Sequence, residues 1–472
     1  MLNYFPQYFV NRAIALYFIA LAAVLLLFTN NFIQLQFVPF GIVSVVCFFY
    51  FSNILTKQWS SCPEKKFKKK LFITALAIRV VWVIFSYFYY FTQTGTSFDL
   101  LGDAWGYHQC GIEIAAGLRV GDWGIFAIYL EHFGVSDIGF MSYMGVIYWL
   151  TGDSIIIARL LNALYSAFMC VLIYNLTKRN FGENTGRMAA ILSMLMPHFI
   201  YYCGLHLKEM VMVFLSVAFV ERTDYLLRSK KFNIINIILP VLIAASLFTF
   251  RTVLGATALI AFFTAVVFAK SKIIDWKKRI LIGVWIIAVA GYFLGGRIAS
   301  EVEEVWADRS LENQQANMEW RAQRMGDYSN EFARYAGVAV FAPMIFTIPF
   351  PTMVNIEHQT IQQRRNGDNF VKNIMSFFTM LGIFLLIYRR KWREHIFILA
   401  FLIGYLGVLA MSNFAHSERF HMPSLPFALI IACYGISQMD NEKKKYFNWW
   451  TMLIFVAIVA WSWFKLAGRG MF

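Results

Sequence analysis

Apolar stretches close to 20 residues long recur along most of this chain and leave few folds open to it. A stretch of that length crosses the hydrocarbon core of a bilayer as a helix, whose backbone polar groups are all hydrogen-bonded internally. Of the 472 residues, 59% are hydrophobic and only 15% are charged. The sequence therefore predicts an all-α polytopic membrane protein, built as one membrane domain over residues 1–472.

The net charge of +15 comes largely from short basic clusters between the apolar stretches. Lys and Arg are enriched in cytoplasmic loops, so these clusters indicate topology and not nucleic-acid binding. With the clusters in the cytoplasm, about 13 transmembrane helices follow, with the N-terminus inside and the C-terminus outside. Their predicted ranges are 13–29, 37–55, 71–92, 154–177, 187–204, 207–226, 234–250, 253–270, 279–297, 370–388, 396–412, 422–437 and 448–464.

Two long loops are predicted on the outer side, at 93–153 and 298–369. They hold seven and ten of the 27 acidic residues. The second loop is rich in helix formers and is predicted to form a helical lid. Ile138–Leu150 is too short to span and is predicted to be an interfacial helix. Gly337–Val354 contains three prolines and is predicted to be a re-entrant or surface segment.

Six cysteines are scattered along the chain without metal-ligand spacing. The sequence predicts that they are small core residues. A disulfide between Cys110 and Cys203 on the outer side is an alternative.

Asp103 is the first candidate functional residue. It follows the apolar stretch 71–92, and Trp105 and Tyr107 lie close to it in "FDLLGDAWGYHQCG". Charged side chains near a membrane need partners or water, so several at one depth favour a cavity over solvated loops. The polar residues that we expect at this depth are Asp99, His206, Lys208, Glu209, Arg251, His416, Glu418, Arg419 and His421.

Apart from Arg12 and the cytoplasmic clusters, 16 basic residues remain, and 13 of them are arginine. Arginine forms paired hydrogen bonds to phosphate oxygens and stays charged when partly desolvated. A nearby carboxylate can accept a proton from an incoming hydroxyl. The pattern therefore favours a phosphate-bearing lipid bound beside a general base.

Two segments carry a resemblance to a known group of enzymes. "GDAWGYHQCG" and "LTGDSIIIARLLNALYSAFMCVLIYNLTKRNFGENTGRMAAILSMLMP" resemble the GT-C superfamily of membrane glycosyltransferases, in particular the branch with protein O-mannosyltransferases and lipid A aminoarabinose transferases. "ERFHMPSLPFALIIACYG" resembles a late segment of such chains. The resemblance implies a GT-C type helical bundle, covering residues 71–270 best.

The resemblance also implies roles for individual residues. Asp103 would be the catalytic carboxylate and Glu209 the second acid, while Lys208, Arg251 and Arg419 would bind the donor phosphate. The implied reaction moves a sugar from a polyprenyl-phosphate donor to a hydroxyl of a glycan, lipid or protein, with inversion, at the periplasmic face of a bacterial inner membrane.

Four further residues are predicted to line the substrate cavity: Asp99, Tyr107, His206 and His421. A divalent metal is an open question. His206 and Glu209 stand three positions apart, which would place them on one face of a helix, and Asp103 with His416 or His421 could complete a site.

Two other functions remain alternatives. An O-antigen-type polymerase or ligase would use a diphosphate-linked glycan, and the arginines of loop 298–369 suit it. A non-catalytic flippase for lipid-linked sugars would place charges near mid-membrane, where Arg79 is the one example. The sequence names neither the sugar nor the acceptor, the oligomeric state, the metal dependence or the number of carrier phosphates.

Overall fold

The computed structural model describes residues 2–99, 102–229, 234–270, 344–357, 359–410 and 417–471. Within these ranges the chain is helical and forms no β-strand beyond an isolated bridge between Phe32 and Val354. The prediction of an all-α protein is confirmed for this part of the chain.

The described helices are labelled here in chain order. They are α1 (Gln7–Leu27), α2 (Val38–Gln58), α3 (Glu64–Thr94), α4 (Asp103–Arg119), α5 (Ile125–Phe133), α6 (Val135–Thr151), α7 (Ile155–Phe181), α8 (Glu183–Leu195), α9 (Pro197–Tyr201), α10 (Glu209–Arg228), α11 (Ile234–Phe250), α12 (Thr252–Phe268), α13 (Thr360–Arg364), α14 (Asn366–Tyr388), α15 (Ile396–Ala410), α16 (Glu418–His421), α17 (Leu425–Ser437) and α18 (Asn441–Ala467).

Seven helical segments of the described chain are long and apolar enough to cross a membrane. They are Gln7–Leu27, Leu35–Gln58, Glu64–Thr94, Ile155–Phe181, Asn366–Tyr388, Glu418–Ser437 and Asn441–Ala467. Each overlaps a predicted span. The chain is therefore a membrane protein with several long apolar helices.

The remaining predicted spans differ from that pattern. The ranges 234–250, 253–270 and 396–412 correspond to α11, α12 and α15, which have 17, 17 and 15 residues. The range 207–226 corresponds to α10, which carries acidic and basic side chains toward its C-terminal end. The range 279–297 lies outside the described residues.

The predicted span 187–204 is interrupted at Pro197. Helix α8 ends at Leu195, and α9 begins with the proline, which has no N–H to donate to the carbonyl of Ser193. Arg79 from α3 donates instead to the carbonyl oxygens of Ser193 and Met194, at 3.3 and 3.1 Å. The mid-span arginine therefore supports the break in the neighbouring helix.

The predicted basic loops meet at one end of the bundle. Lys178 at the end of α7 binds Glu64 at the start of α3, with 2.6 Å between Nζ and Oε2. Arg228 at the end of α10 donates to the carbonyl of Glu394, whose carboxylate binds Lys270 after α12. These links make the end that holds the basic loops a single ionic layer, and the candidate site lies at the other end.

The predicted outer loop 93–153 folds mainly into α4, α5 and α6. The expected interfacial helix lies within α6, which packs against α4 and α11. Of Gly337–Val354, the described part binds the connection after α1, where the N–H of Ile33 donates to the carbonyl of Met353. Most of loop 298–369, with its predicted lid, lies outside the described residues.

All six cysteines are free, so the alternative disulfide between Cys110 and Cys203 does not form. Cys170, Cys203 and Cys433 are buried. The expectation of core residues is met for these three, while Cys47 is exposed.

Candidate functional site

A single arginine links the two carboxylates that the sequence singled out. Arg419 donates from Nη1 to Asp103 and from Nε to Glu209. Asp103 begins α4 and its side chain is 59% exposed, whereas the Glu209 side chain begins α10 and is 0% exposed. Three segments that are distant in the sequence thus place one cation between a solvent-facing acid and a buried one.

The helix starts account for part of this arrangement. Asp103 and Glu209 each occupy the first turn of a helix, where unpaired backbone N–H groups favour a negative charge. One oxygen of Glu209, Oε2, is buried and has no hydrogen-bond partner among the described residues. The two carboxylates share one guanidinium, so this group of three carries an excess negative charge.

Lys208 already has a counter-ion. Its ammonium binds the carboxylate of Asp137 in α6, and it lies 5.9 Å from the centre of the Tyr107 ring. Burial lowers the pKa of Lys208 from its ordinary value, and Asp137 opposes that shift. Tyr107 itself is buried, and burial raises the pKa of its hydroxyl.

The guanidinium of Arg251 has no acceptor among the residues that the structure describes. Arg251 precedes α12, and its guanidinium carbon lies 4.0 Å from the centre of the Phe420 ring, beside Arg419. Within the described residues its backbone N–H donates to the carbonyl of Leu247, but its guanidinium makes no hydrogen bond or ion pair. The positive charge of Arg251 also lowers the pKa of Lys208, which places these cations in one electrostatic environment.

Asp99 is not part of this group. Its carboxylate binds Arg364 at 2.5 Å and accepts a hydrogen bond from the hydroxyl of Tyr201 at 3.0 Å, and both ionic side chains are buried. Sequence reasoning placed Asp99 in a cavity with Asp103. The structure shows instead that Asp99 forms a closed ion pair.

His206 belongs to a chain of three aromatic polar groups. The hydroxyl of Tyr148 lies 2.7 Å from Nδ1 of His108 and 3.2 Å from Nε2 of His206. Burial first, and then the charge of Arg159, lower the pKa of His206 well below its ordinary value, so the ring is neutral at pH 7.

The proposed metal pair His206 and Glu209 does not share a helical face. His206 lies in the turn before α10, which begins at Glu209, so the three-residue spacing has no helical meaning here. Among the described residues, no group of three His, Cys, Asp or Glu side chains could hold a metal ion. His416 lies outside the described residues, and metal dependence stays a prediction.

His421 contacts a different buried group. Its Nδ1 lies 2.9 Å from the ammonium of Lys372 in α14, beside a small cavity that Ser376 and Ser424 also line. Its neighbour Glu418 binds Arg365 at 2.9 Å. This segment, α16, therefore contributes Arg419 to the Asp103 group and Glu418 and His421 to the interior.

Several partners were not found by sequence reasoning. Tyr148 lies in the stretch that was interpreted only as an interfacial helix, and Asp137 directly precedes that stretch. Arg364 and Arg159 belong to the outer arginines whose excess was noted, and that excess was the signal that could have identified them. Which residue each of these side chains binds is decided by the tertiary structure.

Within the described part of the chain, the geometry brings together an exposed carboxylate, a shared guanidinium and, against the Phe420 ring, an arginine whose side chain has no acceptor. Such a site can bind an anion at Arg251 and Arg419 while Asp103 accepts a proton from a nearby hydroxyl. Comparison of the sequence with models of known protein families and with curated proteins finds no match.

Proposed function

We propose that this protein is an inverting glycosyltransferase of the GT-C type, which moves a sugar from a polyprenyl-phosphate donor to an acceptor hydroxyl. The observation that carries the proposal is Arg419, which bridges Asp103 and Glu209 and is followed by Phe420, whose ring contacts the guanidinium of Arg251; that guanidinium has no ion pair among the described residues. The site lies at the end of the bundle opposite the basic loops. By the positive-inside rule that end faces the periplasm of a bacterial inner membrane.

Donor binding supplies the missing anion. The carrier phosphate binds Arg251, which has no competing acceptor, and takes part of the guanidinium of Arg419. Glu209 is buried and accepts a hydrogen bond from Nε of Arg419. This contact keeps the arginine in the site while its Nη1 exchanges Asp103 for the phosphate. Binding of the donor therefore frees the base at the moment when it is needed.

The reaction then needs one proton acceptor. Asp103 takes the proton of the acceptor hydroxyl, the hydroxyl oxygen bonds to the anomeric carbon, and the bond from that carbon to the phosphate oxygen breaks. The electron pair leaves with the polyprenyl phosphate, whose negative charge Arg251 and Arg419 stabilise. Attack from the side opposite the phosphate inverts the anomeric centre.

A hydrolase fits the site less well. Glycosidases use two carboxyl groups, one of which protonates the leaving oxygen. Here Glu209 is buried and bound to Arg419, and a phosphate leaves without an acid. The exposure of Asp103 suits a base that must meet a second substrate from the solvent side.

The direct test uses purified protein and polyprenyl-phosphate sugars, with release of the polyprenyl phosphate as the readout. Asp103→Asn should abolish transfer while donor binding stays within about twofold, because the base and not the phosphate site is removed. Asp122→Asn, which changes an exposed acid in the same loop, is the matched control and should transfer normally. Normal turnover by Asp103→Asn would remove this residue from the base role.

The phosphate site has its own test. Arg251→Ala should weaken donor binding strongly and Arg251→Lys should restore it only in part, because a point charge replaces a fork. Parent-like donor binding by Arg251→Ala and Arg419→Ala would place the phosphate elsewhere. Running each assay with a strong chelator decides the metal question, and a diphosphate-linked oligosaccharide donor tests the polymerase or ligase alternative.

A further inference from the structure

Arg159 is a buried cation with almost no partners. It lies in the first turns of α7, its residue is 0% exposed, and Nη2 donates to the carbonyl of Ser97 at 2.6 Å. Its Nε and Nη1 are buried and have no acceptor. It forms no ion pair within the described residues. An arginine in this state lacks the counter-charge that burial normally requires.

Other buried arginines at this end of the bundle are compensated. Arg364 binds Asp99, and Arg365 binds Glu418 and Asp368. The acid closest to Arg159 along the Ser97 segment is Asp99, and that acid is committed to Arg364 and Tyr201. The positive charge of Arg159 is therefore left over after the local acids have been paired.

A short piece of backbone covers the guanidinium. The carbonyl of Ser97 takes one of its donors, and the centre of the Phe98 ring lies 5.9 Å from its central carbon. The next residue, Asp99, is held by Arg364. The ion pair between Asp99 and Arg364 thus holds Ser97 and Phe98 over Arg159, and we call these two residues the cover of Arg159. The cover offers the guanidinium a single acceptor, the carbonyl of Ser97.

We propose that Arg159 is the centre of a second anion-binding site, distinct from Arg251 and Arg419, which takes a phosphate group when Ser97 and Phe98 move aside. The anion is the head group of a phosphate monoester lipid or free phosphate. A phosphate has several charged oxygens and can accept from two guanidinium nitrogens together, which the single carbonyl of Ser97 does not do. The site does not depend on glycosyl transfer.

The test is a binding titration in maltoside detergent, which contains no phosphate. The probe is dodecyl phosphate. Calorimetry measures how many equivalents bind, and amide hydrogen exchange measures how readily the peptides that contain Ser97 to Asp99 open. The parent should bind two equivalents, and exchange in these peptides should rise on binding. Arg159→Gln should bind one equivalent, with affinity at the lost site reduced roughly tenfold or more and no rise in exchange.

Two variants separate this proposal from the proposed function. Arg251→Gln should also bind one equivalent, yet keep the rise in exchange, because its remaining site is Arg159. Arg119→Gln removes an exposed arginine that binds Asp153 and should keep both sites. Two equivalents bound by Arg251→Gln would count against the donor site and leave the Arg159 site standing, whereas two equivalents bound by Arg159→Gln would count against the second site and leave the donor site standing.

The outcomes are decisive in each arm. Two equivalents and an unchanged exchange response in Arg159→Gln would overturn the proposal. If Arg159→Gln fails to fold, Arg159→Lys takes its place. This variant should bind dodecyl phosphate more weakly at the second site and still show the rise in exchange that the parent shows. If inorganic phosphate raises hydrogen exchange in these peptides, the site binds free phosphate. If only dodecyl phosphate raises it, the site binds a lipid head group. If neither probe raises it, the proposal is overturned.

Discussion

Two fully buried arginines in this molecule differ in almost everything except burial. Arg79, in the middle of α3, is 0% exposed and donates to Ser166, Ala75, Met194, Cys170 and Ser193. Arg159, near the start of α7, is also 0% exposed and donates only to Ser97. The guanidinium nitrogens of Arg79 all have acceptors, whereas Nε and Nη1 of Arg159 have none among the described residues.

The difference follows from what each region offers. The break between α8 and α9 releases carbonyl oxygens in the bundle interior, and a guanidinium with five N–H groups satisfies several of them at once. About two turns away, near the start of α7, Asp99 is already bound to Arg364 and is not available to Arg159. An interior arginine with full hydrogen bonding serves the fold, while one with free donors at a polar end is available for a ligand.

The largest expected effect comes from Arg79. Arg79→Leu leaves the carbonyls of Ser193 and Met194 buried without a donor, so we expect the free energy of unfolding to fall by about 3 kcal/mol. Thermal unfolding and denaturant titration in detergent measure this loss. Arg79→Lys should recover only part of it, because one ammonium cannot reach all of the acceptors. A loss below about 1 kcal/mol would contradict the structural role.

The next largest effect is expected for the ion pair between Asp99 and Arg364, which holds Ser97 and Phe98 over Arg159. Asp99→Asn removes the charge that binds Arg364, so the segment from Ser97 to Asp99 should open more readily. We expect its amide hydrogen exchange to rise about tenfold, which corresponds to about 1.4 kcal/mol in local opening. Asp137→Asn, which removes the counter-ion of Lys208, is the control and should leave this exchange unchanged. Unchanged exchange in Asp99→Asn would show that the ion pair does not hold the cover.

Arg159 should matter far less to stability than Arg79. Arg159→Leu removes one hydrogen bond but also a buried charge that lacks a counter-ion, so the free energy of unfolding should change by at most about 1 kcal/mol. The same unfolding assays compare both Leu variants directly. Equal losses in the two variants would break the comparison and make Arg159 a second structural arginine.

The last prediction concerns pH. Burial, and then Arg159, lower the pKa of His206, so the folded protein holds it neutral while the unfolded chain protonates it below its ordinary pKa. Stability is therefore full above that ordinary value and declines as the pH falls below it, by at most about 1.4 kcal/mol per pH unit. His206→Gln should reduce this decline in thermal unfolding between pH 7 and 5. Arg159→Leu should reduce it slightly, and an unchanged decline in both would contradict the assignment.

Much of the fold could be predicted because its cause is local. The apolar stretches predicted the long helices, since a backbone in hydrocarbon must satisfy its own hydrogen bonds, and the basic clusters predicted which loops lie together. Prolines marked the segment before Val354 as irregular. The exception at Pro197 was missed, because the apolar pattern of 187–204 continues through the break and the donor that compensates it comes from α3.

The candidate site was predictable in kind and less so in arrangement. The sequence predicted that Asp103, Glu209 and Arg419 lie at one end of the bundle, and the structure joins them through contacts that span 316 and 210 positions of the chain. It also predicted His206 and Glu209 on one helical face, which was wrong because α10 begins at Glu209. Asp99 and His421 were expected beside Asp103 and bind Arg364 and Lys372 instead.

The sequence by itself determined that this chain is helical, apolar and charged at the ends of its helices. Those properties depend on neighbours within a few turns, where spacing and composition are sufficient. Only the tertiary structure decided which acid binds which base, since many pairings satisfy the same composition. Among the described residues it left the guanidinium groups of Arg251 and Arg159 without an ion pair, because the packing of distant helices binds Asp103 and Glu209 to Arg419 and Asp99 to Arg364.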